Sequence, residues 1–120
     1  MVDRAKVSIT TDASGDATAS IQMGGGILRQ VVYVPDGSSP LATGADLTIA
    51  EDDTGLGLLT VANIGIATIE WFPRQFTADP DSGVESTTNI TEIAFKGDLT
   101  LTIAQGGNAL SGVFYIYTTQ

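Results

Sequence analysis

DLTLTIA, residues 98–104, followed by QGGN at 105–108 and GVFYIYT at 112–118, is the stretch that decides the fold. In the first segment Leu99, Leu101 and Ile103 alternate with Asp98, Thr100 and Thr102, the period of a strand with one face in a core and one in solvent. The glycine-rich turn and the β-branched and aromatic segment after it predict a second strand. Upstream, Arg4 to Thr10 alternates with Ala5, Val7 and Ile9 in phase, TDASGD at 11–16 has turn chemistry, and Ala17 to Met23 alternates again. These two segments predict a hairpin. Gly24-Gly25-Gly26 leads into ILRQVVYV at 27–34, which Pro35-Asp36-Gly37 ends. Ala45 to Ala50 and Leu58 to Ala62 flank an acidic turn and predict another hairpin. Ile66 to Phe72 predicts a strand closed by Pro73, Gln75 to Asn89 a long loop, and Ile90 to Phe95 a further strand.

No window carries the apolar period of a helix, and glycines arrive too often for one. About eight or nine strands joined by short turns predict an all-β fold. An antiparallel two-sheet β-sandwich is favoured, with a small barrel as the alternative. At 120 residues the chain suits one core, so residues 1–120 are read as one domain.

Composition narrows function by exclusion. There is no histidine and no cysteine, so the commonest general base, the commonest transition-metal ligand and the strongest side-chain nucleophile are missing. The chain is read as a non-enzyme with no catalytic residues. Five basic against fourteen acidic residues give a net charge of −9, which repels a phosphate backbone and argues against nucleic-acid binding. The uncharged run Thr54 to Ile69, flanked by Asp53 and Glu70 and broken by Gly, Thr and Asn, falls short of the roughly 20 residues a membrane helix needs, so no membrane association is expected. The start has no apolar stretch of the signal-peptide kind. Only 16% of residues are charged and mean hydropathy is +0.19, a weakly charged exterior suited to packing against other protein.

Candidate sites are few. Glu51-Asp52-Asp53 and the acidic run Asp79 to Glu85 offer oxygens of the kind calcium takes, but neither has the spacing of a calcium loop, and solvated turns explain both. No metal is assigned. The glycines at 24–26 precede a strand where a phosphate loop would precede a helix, so no cofactor is assigned either. No acidic pair sits in the aromatic setting that a glycosidase needs. The aromatic concentration is IEWFPRQF at 69–76, where Trp71 and Phe72 point to opposite faces of a strand. Trp71 reads as a core anchor and Phe72, Arg74 and Phe76 as interface residues, aromatics and arginine being enriched at binding hot spots. In the last strand Val113, Tyr115 and Tyr117 share one face and Phe114 and Ile116 the other, so both faces call for burial. Either the 75–89 loop or a second subunit is expected over Tyr115 and Tyr117.

Three segments carry a resemblance: GGGILRQVVYVPDGSSPLATGADLTI at 24–49, LLTVANIG at 58–65 with WFPRQ at 71–75, and LTIAQGGNALSGVFYIYTTQ at 101–120. In these the chain resembles small virion proteins of tailed bacteriophages, of the kind encoded beside head genes. The resemblance implies a structural role on a phage particle: a capsid decoration (cement) protein, or alternatively a head–tail neck or tail component. It implies synthesis in the host cytoplasm and residence in the virion, with the major capsid protein or neighbouring virion proteins as partners, and it brings no site motif. A homo-oligomer, with a trimer favoured, agrees with attachment at symmetric junctions of a shell. A carbohydrate-binding β-sandwich module is the competing reading.

Overall fold

Alternation over short segments makes strands, and ten of them form among the described residues. The computed structural model describes residues 2–78 and 85–119 and, within these, the side chains outside 75–78 and 85–90. The strands are β1 Val2–Thr10, β2 Ala17–Ile21, β3 Gly26–Pro35, β4 Asp46–Glu51, β5 Gly57–Val61, β6 Ile69–Trp71, β7 Arg74–Ala78, β8 Glu85–Phe95, β9 Leu99–Ala104 and β10 Ser111–Thr119. No helix is present among the described residues. One sheet runs β1-β10-β3-β8-β7, with β6 also pairing β3, and the other runs β2-β9-β4-β5. All strand pairs are antiparallel. Both sheets are open, which makes the fold a sandwich and discards the barrel alternative.

The core lies between the sheets. Val7 and Ile9 of β1, Leu28, Val31 and Tyr33 of β3, and Phe114 and Ile116 of β10 face Leu47 and Ile49 of β4 and Leu99, Leu101 and Ile103 of β9, all buried. Tyr33 and Phe114 stack with ring centroids 5.0 Å apart. The stack has room because residue 112 is glycine; a Cβ there would run into the Tyr33 ring.

Several expectations are corrected. β1 and β2 are not a hairpin: β1 pairs β10 and β2 pairs β9, in different sheets. The turn between them is tied to the β9–β10 loop, because Gly106 N donates to Gly15 O (2.8 Å) and the buried Thr11 hydroxyl donates to Gly107 O (2.6 Å). The chain therefore crosses from one sheet to the other at residues 11–16. The 75–89 segment, expected as a loop, contributes β7 and the start of β8, paired through Gln75–Thr91 and Phe76–Ile90. The strand expected over 66–72 narrows to Ile69–Trp71, and the one expected over 17–23 ends at Ile21. The hairpin of β4 and β5 forms, with a register shift after Ile49.

Two buried hydroxyls behave oppositely. Tyr33 Oη accepts a hydrogen bond from Leu41 N at 3.3 Å, whereas Thr118 Oγ1, buried beside the β-bulge between Tyr117 and Thr118, has no partner. Replacing Thr118 by Val removes an unpaired hydroxyl at constant shape and is expected to stabilise the fold by about 1 kcal/mol in urea titration. Tyr33→Phe orphans a buried amide and is expected to destabilise by about 1–2 kcal/mol. Burial also raises the Tyr33 pKa above its usual 10.0. The folded state then holds a proton that the unfolded chain releases, so this contribution is full below pH 10.0 and is lost as pH rises further, a loss expected to disappear in Tyr33→Phe.

Candidate functional site

The outer faces of the two sheets differ in chemistry. On the smaller sheet a row of hydroxyls crosses all four strands, Thr18 beside Thr102, Thr102 beside Thr48 and Thr48 beside Thr60. Such a face is content in water. On the larger sheet the register sets Val34 against Val113, Val32 against Tyr115 and Gln30 against Tyr117. These are outward residues of the two strands most central to the sheet, and Val32, Val34, Val113, Tyr115 and Tyr117 remain half-buried with no second layer over them among the described residues. Strands whose outer face is polar in most sandwiches are here apolar on both sides.

The same face collects most of the chain's cations. By register with Tyr115 and Tyr117, Lys6 and Arg4 of β1 stand outward, and the Arg4 guanidinium lies 5.0 Å from the centre of the Tyr115 ring. Arg29, at the β-bulge end of β3, donates to Glu92 Oε2 at 2.5 Å, and Arg74 of β7 is the cross-strand neighbour of Glu92. Gln30 Nε2 donates to Glu70 Oε2 at 2.6 Å. Four of the chain's five basic residues thus share this face with the carboxylates of Glu70 and Glu92, a net of +2 on a chain of net −9.

Between the cations lies a hollow of about 260 Å³, lined by Val2, Arg29, Gln30, Phe72, Arg74 and Tyr117. A second, of about 580 Å³, continues past Arg29 and Arg74 to Ile27, Thr91, Glu92 and Ala94. Phe72, 55% exposed, follows directly on the short strand β6 and lies on the outer side, while Trp71 pairs with Val31 and packs half-buried against the core. Pro73 is buried and Arg74 donates to its carbonyl at 2.7 Å.

Of the interface residues read from sequence, the structure gathers Phe72, Arg74 and Tyr117 around one hollow. Tyr115 stands two residues along the same strand under Arg4, and Trp71 turns inward. The Phe76 backbone pairs with Ile90, and its side chain lies outside the described residues. The strands formed by residues 74–78 and 85–95 widen the sheet sideways, so neither supplies the cover expected over the tyrosines. Sequence reading missed Arg4, Lys6 and Arg29, whose scatter along the chain hides their convergence; alternation alone gives Arg4 and Lys6 a common face. The acidic turn Glu51-Asp52-Asp53 is held internally: Thr54 Oγ1 donates to Glu51 (2.9 Å), Lys96 N donates to its other oxygen (3.0 Å), and the Thr100 hydroxyl donates to Asp52. The run 79–85 lies outside the described residues. Among those described, no three carboxylates converge.

No family model and no curated protein matches the chain. Among solved structures it is similar to a chain from the virus-like particle of extra small virus of the giant freshwater prawn Macrobrachium rosenbergii, at 12% identity over 99% of this chain and 81% of that one, with a TM-score of 0.27. A TM-score that low carries no argument about function, which is read from the face itself.

An exposed ion pair contributes little to folding. Glu92→Gln is therefore expected to change the free energy of unfolding by less than about 1 kcal/mol while freeing Arg29, an outcome read from urea titration beside wild type.

Proposed function

We propose that this chain is a non-enzymatic structural protein of a virus particle, a capsid decoration protein of the tailed-phage kind, and that the outer face of its larger sheet is the surface that holds it there. The observation that carries the reading is the uncovered apolar face of β3 and β10, with Tyr115, Tyr117 and Phe72 rimmed by arginines. Leaving such rings in water is costly, whereas burying them against protein returns roughly 25 cal/mol per Å² of apolar area removed from solvent. A stable interface of standard size covers about 800 Å² on each partner. Aromatics and arginine are the side chains that carry most binding energy in such interfaces. The resemblance of residues 24–49, 58–65, 71–75 and 101–120 to small phage virion proteins points the same way.

The partners on this reading are the major capsid protein or neighbouring virion proteins, met at a symmetric junction by several copies, with a trimer favoured. Net charge suits the outside of a shell, where packaged nucleic acid is out of reach. A position at the head–tail neck uses the same face and differs in copy number.

The test is co-purification with particles. The wild-type chain is expected in density-purified virions, spread over the shell as gold-labelled antibody sees it, and confined to one vertex if it belongs to the neck. Tyr117→Ser with Phe72→Ser is expected to weaken attachment by at least about tenfold, since each hot-spot truncation costs about 2 kcal/mol or more. Wild-type protein that stays in the lysate while particles are free of it overturns the reading.

A further inference from the structure

The face described above fits one feature of the same molecule. The hairpin joining β4 and β5 runs Glu51-Asp52-Asp53-Thr54-Gly55-Leu56-Gly57, and at its tip Leu56 is 55% exposed, an aliphatic side chain held out of the fold between acidic residues and two glycines. The turn that presents it is built firmly. Gly55 N donates to Glu51 O (2.8 Å), Glu51 N to Leu56 O (2.9 Å) and Leu56 N to Thr54 Oγ1 (3.1 Å), while Asp52 N donates to Asp98 O (3.0 Å). An exposed leucine on a rigid acidic turn is the inverse of an aromatic hollow between two arginines.

We propose that the β4–β5 tip of one copy docks into the Phe72–Tyr117 hollow of the next. Leu56 enters the hollow, of about 260 Å³, and Asp52 and Asp53 meet Arg29 and Arg74 on its rim. This deepens the interface reading and rests on it, by naming a second copy of the chain as one occupant of that face. Charge selects the pairing. Two copies meeting face to face bring a net of +2 against a net of +2, and two meeting tip to tip bring carboxylates together; only face to tip opposes unlike net charges. The tip belongs to the smaller sheet and the hollow to the outside of the larger one, so the contact joins different surfaces and leaves each copy with a free tip and a free face. A contact of that type closes into a ring when the rotation per copy divides a full turn, as a trimer requires, and otherwise grows as a filament.

The test uses two variants of the full chain. The tip variant carries Asp52→Asn, Asp53→Asn and Leu56→Ser; the face variant carries Arg29→Glu and Arg74→Glu. All five positions lie outside the buried core, and an unchanged circular dichroism spectrum and urea midpoint check each fold. Sedimentation velocity is expected to find wild type larger than a monomer and each variant monomeric. Mixing the two is expected to yield a one-to-one heterodimer, because the intact tip of the face variant meets the intact face of the tip variant and nothing is left to extend the chain. In about 1 M NaCl, where the screening length is ~3 Å, the wild-type assembly is expected to weaken at least about tenfold. A wild-type monomer, a variant that keeps the wild-type size, or a mixture of folded variants that stays monomeric overturns the proposal. Virion attachment is scored separately: a chain that is monomeric in solution yet present in purified particles sinks the tip-to-face contact and leaves the virion reading standing, and a chain that assembles but is absent from particles does the reverse.

Discussion

Everything in this molecule is arranged around the pairing of β3 with β10. The two strands run antiparallel through the middle of the larger sheet, and their inner residues Leu28, Val31, Tyr33, Phe114 and Ile116 supply most of that sheet's share of the core. Tyr33 stacked on Phe114 sets the register, since Gly112 must lie under the Tyr33 ring and no other residue fits there. Once that register holds, the outward residues have no freedom. A strand repeats every two residues, so placing Phe114 inward places Tyr115 outward, and the pairing sets Val32 beside it. The apolar outer face is thus a consequence of the core's own register combined with a sequence that is apolar at both parities.

That coupling explains why the site is a surface and not a cleft. Among the described residues the larger sheet has no second layer outside it, and its cations come from three strands, β1, β3 and β7, with β8 contributing the carboxylate that balances one of them. The smaller sheet takes the opposite course, with threonines in a row on its outer side. One protein therefore carries a water-compatible face and a face suited to protein contact. The proposed directional assembly rests on this asymmetry rather than on either face by itself.

The loops at one end hold the two sheets in relation. Thr11 donates to Gly107 O, Gly106 N donates to Gly15 O, and Ala42 N donates to Gly106 O (3.0 Å), so three crossings share one knot of hydrogen bonds. Gly106 has no room for a side chain beside Thr11 and Ile103. This knot is what turns the β1–β2 connection from a hairpin into a crossing between sheets. Both outcomes start with the same local ingredients, alternation, a TDASGD turn and alternation again, and differ only in what lies across from the turn.

Local periodicity was enough for the class of fold, most strand positions and which residues of the cleanly alternating strands face inward, because the inward preference of Val7 or Leu101 is a property of the residue and its parity. It was enough too for the opposite orientation of Trp71 and Phe72. Sheet membership and strand order were not legible, since hydrogen bonds between strands distant in sequence depend on packing that no single segment encodes. The strand at Arg74–Ala78 escaped for the same reason: its turn-rich surroundings carry no apolar period, and pairing with β8 makes it a strand. Composition by itself set only the expectation that catalysis and nucleic-acid binding are poor prospects. That Arg4, Lys6, Arg29 and Arg74 share one face with Tyr117 and Phe72 was decided by the tertiary structure alone, because charges scattered over some seventy positions meet only when the sheet brings their strands side by side.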